Sequence, residues 1–391
     1  MHIAIFIYGL TGGGAQRRTL TLANAFSHRG HRVDLVVANA DGPLTASVPN
    51  SVRLVPLNSR LLGLLRLKRL RRLKISCSQW ALAQYLRCSR PDVLLSAASH
   101  VNLAAIRARS LSGLRIPLVV RISNHLTASH LHTFRPFRRL RYLSACRLYQ
   151  RANAVITVSA GLADDIALSA GVSPKRITTI YNPIYTPGLI EKASAHLDHP
   201  WFKPGSPPVI LGVGRLAASK DFPTLVKAFA EVHRIRPVHL VILGEGKKRR
   251  KILALAQSLN VAEDIDLPGF VNNPLAWMGR ASLFVLSSAW EGLPGVLIEA
   301  MAAGCPVIST DCPSGPAEIL ENGKYGQLVP VGNYEALAKA IIANLKSPLE
   351  PEKLRARASE FSVDKAADKY LEVLSSVVQE KSYLKSTILA I

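Results

Sequence analysis

Short apolar runs alternate with helical stretches along the first half of the chain. The run Ile3–Tyr8 is followed by a Gly-rich loop over Gly9–Gly14, a helical stretch over Ala15–His28 and a second apolar run over Arg32–Val37. The other strands predicted in this half are Val93–Ser96, Leu118–Ile122 and Ala154–Val158. Parallel strands are buried on both faces and read as continuous apolar runs, so this alternation predicts a parallel sheet covered by helices.

A second series of apolar runs starts after residue 207. Its predicted strands are Pro208–Val213, His239–Leu243, Ile265–Leu267, Leu283–Leu286 and Pro306–Ser309. Prolines concentrate between the two series, which is typical of a linker. We therefore predict a strongly basic N-terminal domain over 1–185, a Pro-rich linker over 186–206, a second domain over 207–370, and a C-terminal helix over 371–391 with the first domain as its packing partner. Two such domains leave a cleft at the carboxyl edges of their strands, where α/β folds bind ligands.

Charge is distributed unevenly along the 391 residues. Lys and Arg number 49 against 26 Asp and Glu, a formal net charge of +23, and residues 1–190 hold 26 of the basic and 5 of the acidic side chains. The 48% of hydrophobic residues excludes disorder as the main state. The five cysteines lack the spacing of a disulfide framework or zinc site. No stretch reads as a signal peptide or a spanning helix, so we expect a cytoplasmic protein, peripheral on the inner face of the cell membrane.

The segment from Trp290 to Gly304 has the pattern of a phosphate site. Pro294 suits the first turn of a helix and Gly304 suits its end, so the pattern predicts a helix from about Pro294 to Ala303. Backbone N–H groups of residues 292–296 then lie at the positive end of the helix dipole, where they can hold a phosphate. Glu299 lies in an otherwise apolar part of that helix, where a carboxylate needs a partner or a ligand.

This segment resembles the E-x7-E motif of the family-4 retaining glycosyltransferases, also called group 1 glycosyltransferases. Further motifs of that family occur in the expected order: Gly12-Gly13-Gly14, Val158-Ser159, Asn182-Pro183, Gly212-Val-Gly214-Arg215-Leu216 with Lys220-Asp221, Gly244-Glu245-Gly246 and Pro268-Gly269-Phe270. The resemblance implies the GT-B fold, an α/β architecture in which two Rossmann-like parallel-sheet domains face each other across a cleft.

The resemblance also implies roles for individual residues. Arg215 and Lys220 would neutralise the diphosphate of a nucleotide sugar and, with Glu291, form the catalytic set. Glu291 would bind a hydroxyl of the donor sugar. The residues expected to bind substrate are Glu299, Gly13, Gly14, Phe270, Val271, Gly292, Leu293, Gly295, Val296 and His125.

For six residues of this substrate-binding set the resemblance implies a particular contact. Glu299 would bind the ribose hydroxyls, and the backbone near Phe270 and Val271 would meet the base. Gly13 and Gly14 would let the loop of the first domain approach the phosphates, and His125 would lie on the acceptor side. No metal or other cofactor is expected, because the two cations would stabilise the departing diphosphate themselves.

Two basic segments of the first domain favour an anionic partner. They are Arg60–Lys74, in which leucine recurs every third residue, and Arg135–Arg141. Attraction to an anionic membrane contributes about 1 kcal/mol per Lys or Arg near the surface, so either a membrane or a solvated basic face explains these segments. We favour the membrane, with a lipid-linked glycan as acceptor and no nucleic acid as partner.

The predicted activity is retaining transfer of a hexose or N-acetylhexosamine from a nucleoside-diphosphate sugar, with uridine as the expected nucleoside. The acceptor would be a glycan or lipid-linked glycan in the synthesis of a cell-surface polysaccharide such as lipopolysaccharide. Three alternatives stay open. One is a nucleotide-sugar epimerase of the same fold, and a second is an NAD-dependent oxidoreductase, because Gly212–Ala217 fits the looser G-x-G-x-x-A form. A basic nucleic-acid-binding protein is the third, although the 6% of aromatic residues form no stacking platform.

Overall fold

The computed structural model describes residues 1–57, 71–131 and 146–389. The chain forms two compact units, one made of Met1–Pro183 together with Val363–Ile391 and the other of Ile184–Ser362. Most of the predicted basic segment Arg60–Lys74, and all of Arg135–Arg141, lie outside the described residues. The membrane role predicted for these segments therefore stays a prediction.

The first unit contains a parallel sheet of seven strands. In chain order the strands are β1 (His2–Gly9), β2 (Arg32–Asn39), β3 (Arg53–Pro56), β4 (Val93–Ser96), β5 (Leu118–Ile122), β6 (Ala154–Thr157) and β7 (Ile177–Thr179). Their order across the sheet is β3-β2-β1-β4-β5-β6-β7. The helices of this unit are α1 (Gly14–His28), α2 (Arg71–Ser89), α3 (Ser99–Ser112), α4 (Leu126–Leu131) and α5 (Ala160–Ala170).

The second unit contains a parallel sheet of six strands. They are β8 (Val209–Val213), β9 (His239–Leu243), β10 (Ile265–Gly269), β11 (Leu283–Leu286), β12 (Val307–Thr310) and β13 (Gln327–Val329), in the order β10-β9-β8-β11-β12-β13. Its helices are α6 (Gly188–Ser194), α7 (Phe222–His233), α8 (Arg249–Ser258), α9 (Pro274–Met278), α10 (Gly295–Ala302), α11 (Pro316–Ile319), α12 (Tyr334–Lys346) and α13 (Pro351–Ser359). Two Rossmann-like parallel-sheet units confirm the predicted α/β class.

The last helix, α14 (Val363–Leu389), belongs to the first unit. Tyr370 of α14 is fully buried in the core of that unit, with its ring centroid 6.2 Å from that of Phe26 in α1. Arg29 reinforces this packing through ion pairs with Asp364 at 2.9 Å and Asp368 at 2.8 Å. Full burial of an aromatic side chain contributes about 1.5–3 kcal/mol, so apolar packing rather than the exposed ion pairs holds α14 in place.

The central strands lie where the apolar runs predicted them, whereas the edge strands β3, β7 and β13 were missed. These three strands are only three or four residues long and only partly buried, so their hydrophobic pattern is weak. The segment predicted as a linker, 186–206, carries α6 and groups with the second unit, and the helix predicted from 371 begins at Val363. None of the helices in the described part of the chain is long and apolar enough to span a membrane.

Candidate functional site

The strand order of the second sheet reverses between β8 and β11, and the predicted cations and carboxylates follow these two strands. Gly214 and Arg215 come directly after β8, and the loop that carries Glu291 follows β11. In open parallel sheets, ligands bind at the carboxyl ends of the strands where the order reverses. The tertiary structure therefore brings the residues predicted to bind phosphate and sugar to the edge of the sheet where open parallel sheets bind ligands.

Lys220 and Glu291 form an ion pair at this edge. The Nζ atom of Lys220 lies 2.6 Å from Oε1 of Glu291, and the two side chains are only 18% and 15% exposed. A lysine ammonium has three N–H donors, so this bond leaves two for phosphate oxygens. The second carboxylate oxygen of Glu291 likewise leaves an acceptor for a sugar hydroxyl.

The loop that carries Glu291 is held by serine hydroxyls. Ser288 Oγ donates to Oε1 of Glu291 at 2.6 Å, and Ser314 Oγ donates to the carbonyl oxygen of Glu291 at 2.8 Å. Ser287 Oγ donates to the carbonyl oxygen of Lys220 at 2.8 Å. The sequence interpretation missed these serines, although Ser287 and Ser288 directly follow the buried strand β11, where polar residues point to a site.

The backbone around Lys220 fixes the direction of its side chain. A Cβ atom at Gly214 would lie 3.0 Å from Cε and 3.2 Å from Cδ of Lys220, so the lysine stem passes directly over this glycine. The next residue, Asp221, has a φ of 41°, which is uncommon for a residue other than glycine. Asp221 Oδ2 accepts a hydrogen bond from Thr224 Oγ1 at 2.7 Å, which stabilises this turn at the start of α7.

The helix α10 begins as the sequence predicts. Gly295 and Val296 are its first two residues, and their backbone N–H groups have no acceptor among the described residues. Gly292 and Leu293 lie buried in the preceding loop, and Glu299 is half-buried one turn inside α10. The positive end of the helix dipole therefore presents donors without protein partners close to the loop of Glu291.

The remaining predicted residues of the second unit lie on the surface of the same edge. The side chain of Arg215 is exposed and has no ion pair within the described ranges. Phe270 follows β10 and is 64% exposed, and Val271 is half-buried beside it. An exposed aromatic side chain and an unpaired arginine at one sheet edge suit the base and the diphosphate of a nucleotide.

The predicted glycines of the first unit lie at the corresponding strand reversal, between β1 and β4. Gly13 is the N-cap residue of α1, and its backbone N–H donates to Gln16 Oε1 at 3.0 Å. A Cβ atom at Gly14 would lie 2.7 Å from Nη1 of Arg18. Both glycines therefore lie at the start of α1, at the carboxyl edge of the first sheet.

His125 precedes α4 and lies beside a buried carboxylate of α5. Its Nδ1 atom is 3.1 Å from Asp165 Oδ2 and 3.2 Å from the backbone nitrogen of Ala128. Nδ1 either donates to Asp165 or accepts from Ala128, because a ring nitrogen with a proton is a donor and one without a proton is an acceptor. Asp165 also accepts from the backbone N–H of Leu126 at 2.6 Å and from Thr127 Oγ1 at 2.5 Å. Burial raises the pKa of Asp165, but the hydrogen bonds from His125 and Thr127 outweigh burial and hold this pKa below its usual value. The sequence interpretation missed Asp165.

A buried thiol lies close to the ion pair. Burial raises the pKa of Cys312 to about 12, and the negative charge of Glu291 adds to the effect. The side chain of Cys312 is 3% exposed, and its thiol stays protonated near neutral pH. Cys312 therefore adds an uncharged side chain next to the ion pair.

The sequence interpretation also missed a pattern with relevance to metals, the Asp-x-Asp spacing of Asp264 and Asp266. Asp264 Oδ2 lies 2.8 Å from His233 Nε2, and Asp266 Oδ2 lies 3.1 Å from His199 Nε2. Both carboxylates lie at the start of β10, the opposite edge from Lys220. Among the described residues, no group of three or more His, Cys, Asp or Glu side chains is placed to hold a metal ion.

Comparison with known proteins agrees with this architecture and defines the family. The GT-B class follows from the two parallel sheets and from solved structures of the same fold. Sequence models described as "Glycosyl transferases group 1" and "Glycosyltransferase Family 4" match residues 196–361 and 12–186. The chain belongs to the group 1 glycosyltransferases.

Two relatives and two solved structures illustrate the similarity. The N-acetylgalactosamine-N,N'-diacetylbacillosaminyl-diphospho-undecaprenol 4-alpha-N-acetylgalactosaminyltransferase of Campylobacter jejuni is 31% identical over 362 residues, which cover 90% of this chain and 91% of that protein. The lipopolysaccharide core biosynthesis glycosyltransferase LpsE of Rhizobium meliloti is 26% identical, over 96% and 99% of the two chains. Anabaena HepE in complex with UDP and glucose superposes with a TM-score of 0.74 at 20% identity, covering 96% of this chain and 100% of HepE. The lipopolysaccharide outer core galactosyltransferase WaaB superposes with a TM-score of 0.70 at 21% identity, covering 96% and 99%.

Proposed function

We propose that this protein transfers a hexose or N-acetylhexosamine, with retention of configuration, from a nucleoside-diphosphate sugar to a glycan or lipid-linked glycan. Uridine is the proposed nucleoside, and the product belongs to a cell-surface polysaccharide. The observation that carries the proposal is the ion pair of Lys220 and Glu291 at the strand reversal, beside the N-terminus of α10. A cation and a carboxylate held 2.6 Å apart suit a substrate in which a sugar and a phosphate are adjacent.

The diphosphate half of this site is built from positive groups. In the proposed mechanism Arg215 and Lys220, with the backbone N–H groups of Gly295 and Val296, hold the two phosphates. Negative charge grows on the diphosphate as the glycosidic bond breaks, so fixed donors at this position stabilise the transition state more than the ground state. These groups take the role that a divalent metal has in other transferases.

The carboxylates address the rest of the donor. We propose that Glu291 accepts a hydrogen bond from a sugar hydroxyl, that Glu299 accepts from the ribose hydroxyls, and that the base lies against the backbone near Phe270 and Val271. Glu291 is held by Ser288 and Lys220 before any ligand arrives, so little ordering is needed on binding. The roles predicted for Gly13, Gly14 and His125 stay predictions.

The activities named for the relatives support the acceptor class. The Campylobacter jejuni protein is named for an undecaprenol diphosphate acceptor and for transfer of N-acetylgalactosamine, and the Rhizobium meliloti protein for lipopolysaccharide core biosynthesis. HepE is described with UDP and glucose. We therefore propose a lipid-linked or lipopolysaccharide acceptor and a UDP-sugar donor.

Turnover of the donor tests this proposal. UDP release from UDP-N-acetylgalactosamine, UDP-N-acetylglucosamine, UDP-glucose and UDP-galactose is measured for the protein and for Arg215→Ala and Glu299→Ala. Both variants are expected to lose transfer while the melting temperature stays within a few degrees. Arg234→Ala, which removes an exposed cation paired with Glu231 in the same unit, is the matched control and keeps full activity.

The outcomes separate the proposal from its alternatives. Unchanged rates in both variants contradict the assignment. Conversion of one UDP-sugar into another without acceptor shows an epimerase instead, and a melting-temperature shift with NAD but not UDP shows an oxidoreductase. The anomeric coupling constant of the product in a proton NMR spectrum tests retention.

A second experiment tests the proposed membrane partner. The strong positive charge of residues 1–190 predicts binding to vesicles that contain phosphatidylglycerol but not to vesicles of phosphatidylcholine alone. Because the Debye length is about 3 Å at 1 M salt, this binding is expected to disappear at high ionic strength. Equal binding to both kinds of vesicle, or competition by DNA at equal charge, contradicts a membrane partner.

A further inference from the structure

Five consecutive cations, Lys247 to Lys251, begin the helix α8 of the second unit. They follow β9, at the same carboxyl edge of the sheet as Arg215. Lys247, Arg250 and Lys251 are exposed and Lys248 is half-buried. The middle residue, Arg249, is engaged within the fold, because it donates to the carbonyl oxygen of Leu267 at 2.6 Å. We call Arg215, Lys247, Lys248, Arg250 and Lys251 the edge cations.

Backbone hydrogen bonds join this run to the loop that carries Arg215. The N–H of Leu216 donates to the carbonyl oxygen of Glu245 at 2.9 Å, and the N–H of Lys248 donates to the carbonyl oxygen of Leu216 at 3.1 Å. A Cβ atom at Gly246 would lie 2.4 Å from the carbonyl oxygen of Leu216, so the two loops are in direct contact. The run of cations therefore begins directly beside the loop that carries Arg215, next to the proposed diphosphate position.

Within the described residues, the edge cations lack the ion pairs that some other exposed cations of the unit make. Four of those cations pair with a carboxylate three residues away, in Arg234–Glu231, Lys324–Glu321, Lys353–Glu350 and Arg355–Glu352, whereas Lys339 and Lys346 of α12 are exposed without such a pair in the described chain. None of the edge cations has a carboxylate within 4.0 Å in the part of the chain that the structure describes. The exposed carboxylate of Glu245 lies 3.8 Å from Arg249, which is not one of the edge cations. The surface therefore keeps its positive charge unneutralised.

The position of the run is unfavourable for the helix itself. The N-terminus of a helix carries a partial positive charge, and acidic residues there are stabilising while cations are not. The first turn of α8 has no acidic residue, and its N-cap residue, Lys248, makes no side-chain capping bond. Helix stability therefore does not explain the four cations that flank Arg249 in this run. An anionic ligand that approaches this edge of the sheet does explain them.

We propose that Lys247, Lys248, Arg250 and Lys251 capture the nucleoside-diphosphate donor electrostatically and guide it to Lys220 and Arg215. This inference rests on the proposed function and adds residues to it that lie outside the contact site. A donor diphosphate is an anion, and a cleft edge of one charge sign raises the association rate of an oppositely charged ligand by about 10- to 1000-fold. Lys247, Lys248, Arg250 and Lys251 would then act on donor association, not on the chemical step.

The test compares a neutral variant with the unmodified protein. In the variant, Lys247, Lys248, Arg250 and Lys251 are all replaced by Gln, which is a good helix former. Association of UDP is followed by stopped-flow tryptophan fluorescence, and donor kcat/KM is measured, at ionic strengths from about 20 mM to about 500 mM. The matched control, Lys339→Gln with Lys346→Gln, removes cations of α12 in the same unit.

The expected result is specific to association. At low salt the variant is expected to bind UDP about tenfold more slowly and to lose kcat/KM by the same factor, with kcat unchanged at saturating donor. The difference is expected to vanish at high salt, the control to behave like the unmodified protein, and the melting temperature of the variant to stay the same or rise.

The other outcomes contradict either the capture role or the proposed function. Equal association rates at low salt overturn the capture role and leave the proposed function intact. A loss seen only with acceptor embedded in anionic vesicles, at unchanged UDP association, also overturns it and assigns the surface to the membrane. No association of UDP, GDP or ADP with the unmodified protein refutes the proposed function itself.

Discussion

Gly244 lies so close to Gly214 that a Cβ atom at position 244 would be 2.1 Å from the carbonyl oxygen of Gly214. Gly244 directly follows β9, and Gly214 begins the loop after β8. Gly244 has a φ of 130°, which other residues rarely adopt. This contact sets the path of the loop that carries Arg215. The side-chain stem of Lys220 passes over the same loop.

Gly244→Ala is expected to lower the free energy of unfolding by about 3 kcal/mol, because backbone strain and a clash with backbone atoms add together. Donor turnover is expected to fall as well, since the loop of Arg215 must move. Gly332→Ala is the matched control, because Gly332 also has positive φ (76°) but a Cβ there meets nothing within 4 Å. Urea denaturation of both variants measures the difference, and equal losses would show that the close approach is unimportant.

The ion pair of Lys220 and Glu291 predicts coupled effects. Lys220→Met is expected to lower kcat/KM about 100-fold or more, because a donor at the departing diphosphate is lost. It also leaves the carboxylate of Glu291 with Ser288 as its remaining side-chain donor, so Lys220→Met and Glu291→Gln are expected to be non-additive by about 1 kcal/mol in unfolding free energy. A double-mutant cycle by urea denaturation measures this coupling. Strict additivity would mean that the pair is not formed in solution.

A buried carboxylate of the first unit predicts acid sensitivity. Asp34 on β2 is fully buried and accepts hydrogen bonds from Tyr85 Oη at 2.6 Å, from His2 Nε2 at 2.9 Å and from Arg53. Burial by itself raises the pKa of Asp34, but the hydrogen bonds from Arg53, Tyr85 and His2 outweigh it, so the pKa lies below its usual value.

Because the pKa of Asp34 is depressed in the folded state, its stabilising contribution is complete above the unfolded pKa of about 3.9 and is lost as the pH falls through the folded value. Asp34→Asn is expected to cost about 1–3 kcal/mol at neutral pH and progressively less in acid. Melting temperatures between neutral and strongly acidic pH measure this convergence. Asp41→Asn, at an exposed acid of the same unit, is the control, and parallel curves for the Asp34 variant and the unmodified protein contradict the prediction.

The proposed use of Arg215 and Lys220 as phosphate ligands predicts the response to chelation. Transfer is expected to continue at full rate after EDTA treatment and dialysis, since the two cations and the N-terminus of α10 supply the positive charge. The initial rate of UDP release, with and without added Mg²⁺ or Mn²⁺, measures this. Loss of activity on chelation and its recovery with either metal would replace this part of the proposal.

Local patterns were sufficient for the central elements of the fold. Continuous apolar runs predict buried parallel strands, and Pro294 and Gly304 predict α10 to within one residue at each end, because capping preferences act over a single turn. The edge strand β13 was missed, since three residues with one fully buried position give no clear pattern. The family motifs that contain Arg215, Lys220, Glu291 and Glu299 could also be recognised from the sequence, because they are short segments of fixed spacing.

The amino-acid sequence by itself determined the α/β class, the number of sheets and the positions of the segments proposed to bind phosphate, because burial and capping are set by neighbouring residues. Only the tertiary structure decided that Lys220 meets Glu291 across 71 positions, and that Ser314 holds the loop that carries Glu291. It also decided that the cations after Gly246 lie beside Arg215. Such contacts depend on strand order and on where loops cross, and chain topology rather than local preference sets both.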